Sequence, residues 1–244
     1  MSNKKARRVR PLGVAGRSRG RLVNGLEIDV FEGPSPGPGV VVADPAAVLD
    51  ALEGFDPGAS WKKVRARVLP MLPRARPFPG RDLELVRSML APGILVNFGI
   101  DLGPAVTFVG RSLLERWKVD LGVLTNTALE NLRAIAKLCD EADVLHDHIG
   151  DVPVTILQTR RGIAASLLLL PDMITRLMGP GPNLLIAPMR DLLVALPADV
   201  DREFASWLAD EFEMLDPNHL HLGAFRHERG VVTPEVLEEA LAQA

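Results

Sequence analysis

From Gly93 onward the chain repeats one arrangement, and that repetition narrows the fold more than any single motif does: two short apolar runs separated by a turn, then an amphipathic stretch of helical period. Residues 94–100 (ILVNFGI), a turn at 101–104, residues 105–109 (AVTFV) and a helix over 112–117 form the first unit. Residues 153–159, a turn at 160–162, residues 163–170 and a helix over 171–178 form the second. The third has 183–189, a bend at Asp191, 192–196 and a helix over 201–215, and the fourth shortens to 219–226, a turn at 228–230, 231–232 and a helix from Pro234. Short turns join antiparallel strands, whereas parallel neighbours need long crossovers. The expected architecture is therefore α+β, with antiparallel or mixed sheets and helices packed on one face, rather than a doubly wound α/β fold. The units share a pattern and not residues, so duplication does not follow.

Upstream, Leu26, Ile28 and Val30 alternate with polar neighbours, and the breaker GPSPGPG separates them from Val40–Val42, which predicts a strand pair. Asp44 followed by Pro45 reads as a helix start whose helix stops at Gly54. A second helix is expected from Ser60, with Trp61, Val64, Val68 and Leu72 at helical spacing and Pro70 and Pro73 bearing on its end. Between the first two hairpin units, residues 125–138 predict a helix capped by Thr125 or Asn126, with Leu129, Leu132 and Ile135 on one face. The division expected along the chain is a disordered basic arm over 1–21, an N-terminal strand pair with helices over 22–90, and the main body over 91–244.

Composition supports a folded core, since 47% of the 244 residues are hydrophobic. The longest apolar run, residues 162–170, falls far short of the roughly 20 residues of a membrane helix, so no membrane association is expected. The basic opening lacks the apolar core of a secretory signal, and the single Cys139 has no intrachain partner, which points to a reducing, cytoplasmic setting. The net charge of −3 hides a strong segregation: residues 1–22 carry +8, residues 61–90 carry +6 and residues 119–244 carry −11. An arm that basic, with Gly13, Gly16 and Gly20 and few large apolar residues, cannot offset its ordering entropy.

The segment NFGIDLGPAVTFV (97–109), a helix ending at Trp117 and the stretch ALENLRAI (128–135) together resemble the YtpQ-like family of bacterial proteins of unknown function. The resemblance rests on Asp101, Leu102 and Gly103 at the turn, Leu114 and Trp117 in the helix, and Ala128, Asn131 and Leu132 in the next one. Pro188 and Asp191 in LLIAPMRDLLVALP match a further segment, and weaker likeness extends over residues 22–244. What it implies is a soluble bacterial protein with no established activity. The basic arm and the segment DVLHDHIGD have no counterpart in that pattern.

Three constellations carry possible chemistry. Gly16, Ser18 and Gly20 fit a nucleophile-elbow spacing, but no strand precedes and no helix follows to hold the serine strained. Cys139, Asp143, His146, His148 and Asp151 crowd one stretch with thiol, imidazole and carboxylate donors suited to zinc, although without a recognised ligand spacing, and exposed-loop composition explains them as well. Asp101, Asn131 and Asp191 form a candidate polar site if the fold brings them together, while their ordinary role is to bond local backbone at turns and caps. No Walker A, dinucleotide fingerprint, H-E-x-x-H or paired C-x-x-C sequence is present. The expectation is accordingly a non-catalytic protein-interaction or adaptor module whose partner is another protein, with no cofactor. A metal-dependent hydrolase using His146 and His148 is the enzymatic alternative. Nucleic-acid binding through the basic arm is the third reading, weakened by the absence of aromatic residues for stacking bases.

Overall fold

The computed structural model describes residues 19–23, 26–30, 45–73, 84–159, 161–215, 219–220 and 222–235. It divides into two compact units, Met1–Pro57 with Leu102–Ala105, and Gly58–Asp101 with Val106–Ala244. In the first, β1 (Arg19–Val23) pairs antiparallel with β2 (Leu26–Val30), and α1 spans Pro45–Glu53. The expected strand at 26–30 is thus present, but its partner is Arg19–Val23, so the last residues assigned to the disordered arm enter a sheet. Leu22 and Val23 are the apolar residues that a reading centred on charge overlooks. Val40–Val42 and residues 1–18 lie outside the described residues.

The second unit opens with α2 (Trp61–Val64), a 3-10 turn (Arg65–Arg67) and β3 (Val68–Met71). The longer helix expected from Ser60 is replaced by a strand because all four residues of β3 are buried, on both faces, which a one-sided helical stripe does not provide. β4 (Arg87–Ala91), β5 (Ile94–Asp101) and β6 (Val106–Phe108) complete a four-stranded antiparallel sheet in which β5 pairs with the other three strands. Both β3 and β4 precede residue 91 and both pair with β5, so the boundary expected at 90/91 falls inside one sheet.

After α3 (Arg111–Trp117) comes α4 (Leu121–Ala136), which starts four residues earlier than expected because Asp120, and not Thr125 or Asn126, caps it by accepting from the Val123 N–H at 2.8 Å. Leu124, Ala128, Leu132 and Ala136 recur every fourth residue and form its buried stripe, packed on β3.

A six-stranded antiparallel sheet follows, built from β7 (Val144–Ile149), β8 (Val152–Leu157), β9 (Asn183–Met189), β10 (Leu192–Pro197), β11 (Ala224–Glu228) and β12 (Val231–Glu235) in the order β12-β11-β9-β10-β8-β7. The hairpins expected over 93–109, 183–196 and the turn at 228–230 are present. The second unit differs: β8 pairs with β7, not with residues 163–170, which hold a buried 3-10 helix over Ala165–Leu169. Helix α6 (Arg202–Glu213) sets Ala205 and Leu208 against Val154, Leu184, Ile186, Val194 and Leu196 on one face of this sheet. The alternate residues Leu185, Leu193 and Phe225 are also buried, on the opposite face, where Thr175 of α5 (Pro171–Met178) reaches His227. Helices therefore cover both faces of this sheet, as the unbroken apolar runs of β9 and β10 require. The whole is an α+β fold of antiparallel sheets and helices.

Candidate functional site

Asp191 occupies the two-residue turn between β9 and β10, and the turn places its carboxylate where several donors converge. The Thr159 hydroxyl donates to Asp191 Oδ1, as do the backbone N–H groups of Thr159 at 3.3 Å and Ala164 at 3.4 Å. Thr159 Oγ1 in turn accepts from the N–H groups of Arg161 at 3.3 Å and Ile163 at 3.4 Å. This pair of side chains holds Thr159 against Arg161, Ile163 and Ala164, which lead into the buried 3-10 helix.

Arg190, the other turn residue, donates from Nε to the Gly162 carbonyl at 2.9 Å. Burial pushes the Arg190 guanidinium below its usual range, and the carboxylates of Asp101 and Asp191 act in the opposite direction. An arginine stays charged even so, and the two carboxylates compensate for its removal from water. Asp101 and Asp191 thus both act electrostatically on the buried Arg190. Asn131 donates from Nδ2 to the carbonyls of Arg65 at 2.7 Å and Val68 at 2.9 Å. It ties α4 to the turn entering β3, and Arg67 from the same turn donates to the Asp101 carbonyl at 2.7 Å. These contacts are structural: the Asp191 oxygen and the Asn131 amide are spent on backbone and neighbouring side chains.

The proposed metal donors separate. Residues 144–149, expected as a loop, form edge strand β7, whose polar residues reflect exposure on both sides of an edge. His146 and His148 lie on one face of it and Asp147 on the other, as the two-residue period of a strand dictates. His146 Nδ1 lies 3.0 Å from Thr155 Oγ1, and Asp147 accepts from the His148 N–H at 2.8 Å. Asp143 accepts from the Asp140 N–H at 3.1 Å and pairs with Arg161 at 3.5 Å. Asp151 sits in the exposed turn after β7. Cys139 is 1% exposed, and burial, then the neighbouring Asp143, raises its thiol pKa, so it is not a poised nucleophile. Among the described residues no three of His, Cys, Asp and Glu come together as a metal-holding group. Ser18, of the elbow-like spacing, lies outside the described residues.

Two surface features escaped sequence reasoning. An open cleft of about 550 Å3 carries Arg87, Arg111, Glu115, Lys118 and Asp120 on its walls, with charges of both signs and Arg111 turned toward Glu84 at 3.8 Å. On α6, Trp207 is 48% exposed although the helix buries its other apolar residues to varying extents. Phe204 steadies it, with ring centroids 5.7 Å apart and planes tilted by 46°. Glu203 and Glu211 lie one turn to either side of Trp207, beside Asp210, and all three carboxylates are exposed with no salt-bridge partner among the described residues. Arg202, the only base in the helix, pairs instead with Glu235. The signal available in sequence was that Trp207 falls off the stripe set by Phe204, Ala205, Leu208 and Phe212.

No helix among the described residues is long and apolar enough to cross a membrane. Compared with models of known protein families, with curated proteins and with solved structures, the chain matches none.

Proposed function

We propose that the chain is a non-catalytic protein-interaction module that presents the outer face of α6 to another protein. The observation that carries this reading is Trp207, half in water on an ordered helix. Leaving about half of so large an aromatic side chain exposed forgoes roughly 2–3 kcal/mol of burial, a cost with no compensation within the described fold. An exposed tryptophan held in place by a neighbouring ring is the kind of anchor on which protein interfaces concentrate their binding energy.

The edges of the six-stranded sheet offer less. On β7 the outward N–H of His148 is taken by Asp147, and the N–H of Val144 by the Glu141 carbonyl. On β12, Pro234 removes a donor, and the backbone of Gly93 lies so close to its ring that no β-carbon would fit there. The likeness of residues 97–109 and 184–197 to the YtpQ-like bacterial family, which has no established activity, is compatible with a binding role. So is a cytoplasmic setting, supported by one buried free thiol.

A selection from a random peptide display library against the full chain tests the reading. Binders that recognise the protein and lose it on Trp207→Ala are expected. Binders indifferent to that substitution, or none at all, overturn it.

A further inference from the structure

We infer that the segment received by α6 is arginine-rich and extended, with arginines at alternate positions. The inference rests on the reading that the outer face of α6 is the docking surface, and it names the chemistry of what docks there.

Glu203, Trp207 and Glu211 succeed one another at intervals of four residues along α6, with Asp210 beside the last. At 1.5 Å per residue the steps between them are about 6 Å. An extended chain advances about 6.6–6.8 Å for every second residue, and alternate residues project from the same side. Three arginines spaced i, i+2, i+4 therefore fall opposite carboxylate, indole and carboxylate.

Each position favours guanidinium over the other candidates. A planar guanidinium stacks on the Trp207 indole and forks to a carboxylate one turn away, whereas a lysine ammonium is a hydrated point charge that does neither as well. An apolar segment would strip water from three carboxylates without pairing them, which the desolvation of charge opposes. An acidic segment meets like charge. The surroundings reinforce the sign, because residues 119–244 carry −11 and steer cationic segments toward this half of the chain.

The test uses the full chain and a fluorescein-labelled peptide of alternating arginine and serine, followed by fluorescence anisotropy at about 150 mM salt. Micromolar binding is expected, weakened about tenfold or more by Trp207→Ala, as for an aromatic anchor. The combined Glu203→Gln, Asp210→Asn and Glu211→Gln variant should bind weakly and lose most of its salt dependence. Replacing arginine by lysine in the peptide should weaken binding about fivefold, reflecting lost stacking and bidentate pairing. Equal affinity for the lysine peptide, or indifference to Trp207→Ala, overturns the inference. Trp207-dependent binders that emerge from the display library without arginine would overturn it too, while leaving the α6 surface standing as the docking site.

Discussion

Replacing Asp191 by alanine tests whether the convergence of Thr159, Asp191 and Arg190 is a structural centre. The substitution removes the acceptor for the Thr159 hydroxyl and for the N–H groups of Thr159 and Ala164, and it leaves Arg190 with Asp101 as its remaining named carboxylate. The two N–H contacts, at 3.3 and 3.4 Å, are long, and about 0.5 kcal/mol each is appropriate. The hydroxyl of buried Thr159 is the costlier orphan, at about 1–2 kcal/mol. A weakened counterion for a largely buried guanidinium adds about 1 kcal/mol after allowance for partial exposure. The expected loss is about 3 kcal/mol, while Asp191→Asn, which keeps an acceptor and removes only the charge, should lose about 1 kcal/mol. In urea, with a denaturant slope of about 3 kcal/mol per molar, Asp191→Ala should move the unfolding midpoint down by about 1 M. A loss below about 1 kcal/mol, or an Asp191→Asn effect as large as that of alanine, would refute the reasoning.

Three other outcomes follow from named contacts. Asn131→Ala removes a donor from the carbonyls of Arg65 and Val68 and unties α4 from the turn entering β3; it should lower the melting temperature by about 4 °C, from about 1.5 kcal/mol in a chain of this size, as read by calorimetry. Fully buried His227 has its pKa lowered by desolvation; because the Thr175 hydroxyl donates to the Pro171 carbonyl, it accepts from His227 Nε2–H, which leaves Nδ1 as an unpartnered acceptor. The unfolded chain then binds this proton more readily, so the contribution is fully present above about pH 6.5 and is lost as pH falls below it toward the folded value. The loss of urea midpoint between pH 7.5 and 5.5 should shrink in His227→Gln. Cys139, buried and with its thiol pKa raised, should react with a thiol-specific disulfide reagent only at the rate of opening, accelerating sharply in denaturant.

The hairpins at 93–109 and 183–196 were legible because each is two apolar runs bent by a turn, a pattern that local chemistry determines. Residues 163–170 were misread because an unbroken apolar run buried on every side has no period to separate strand from helix. Edge strand β7 was misread for the opposite reason: exposure on both faces lets it be polar throughout, so it looks like a loop. At Val68 the helical spacing from Trp61 continued by coincidence into a strand buried on both faces. Asp101 and Asp191 were read at bends from residue type, but nothing local showed that Asp191 would bond to Thr159 and Ala164 or that both carboxylates would act on buried Arg190, since those meetings depend on how distant segments of the chain pack. Trp207 was visible as a residue off the helical stripe, yet its flanking carboxylates gained meaning only when Arg202 proved to be turned away to Glu235.

The most direct measurement is a nitrogen–proton correlation spectrum of the full chain titrated with the alternating arginine–serine peptide. The three indoles, of Trp61, Trp117 and Trp207, report separately, and the Trp117 N–H is already bonded to the Ala59 carbonyl at 2.9 Å. The account predicts that the Trp207 indole moves together with the backbone amides of Glu203 to Met214 while those of Trp61 and Trp117 stay in place. Shifts centred on β7 or on the Arg87–Lys118 cleft, with Trp207 unmoved, would contradict it.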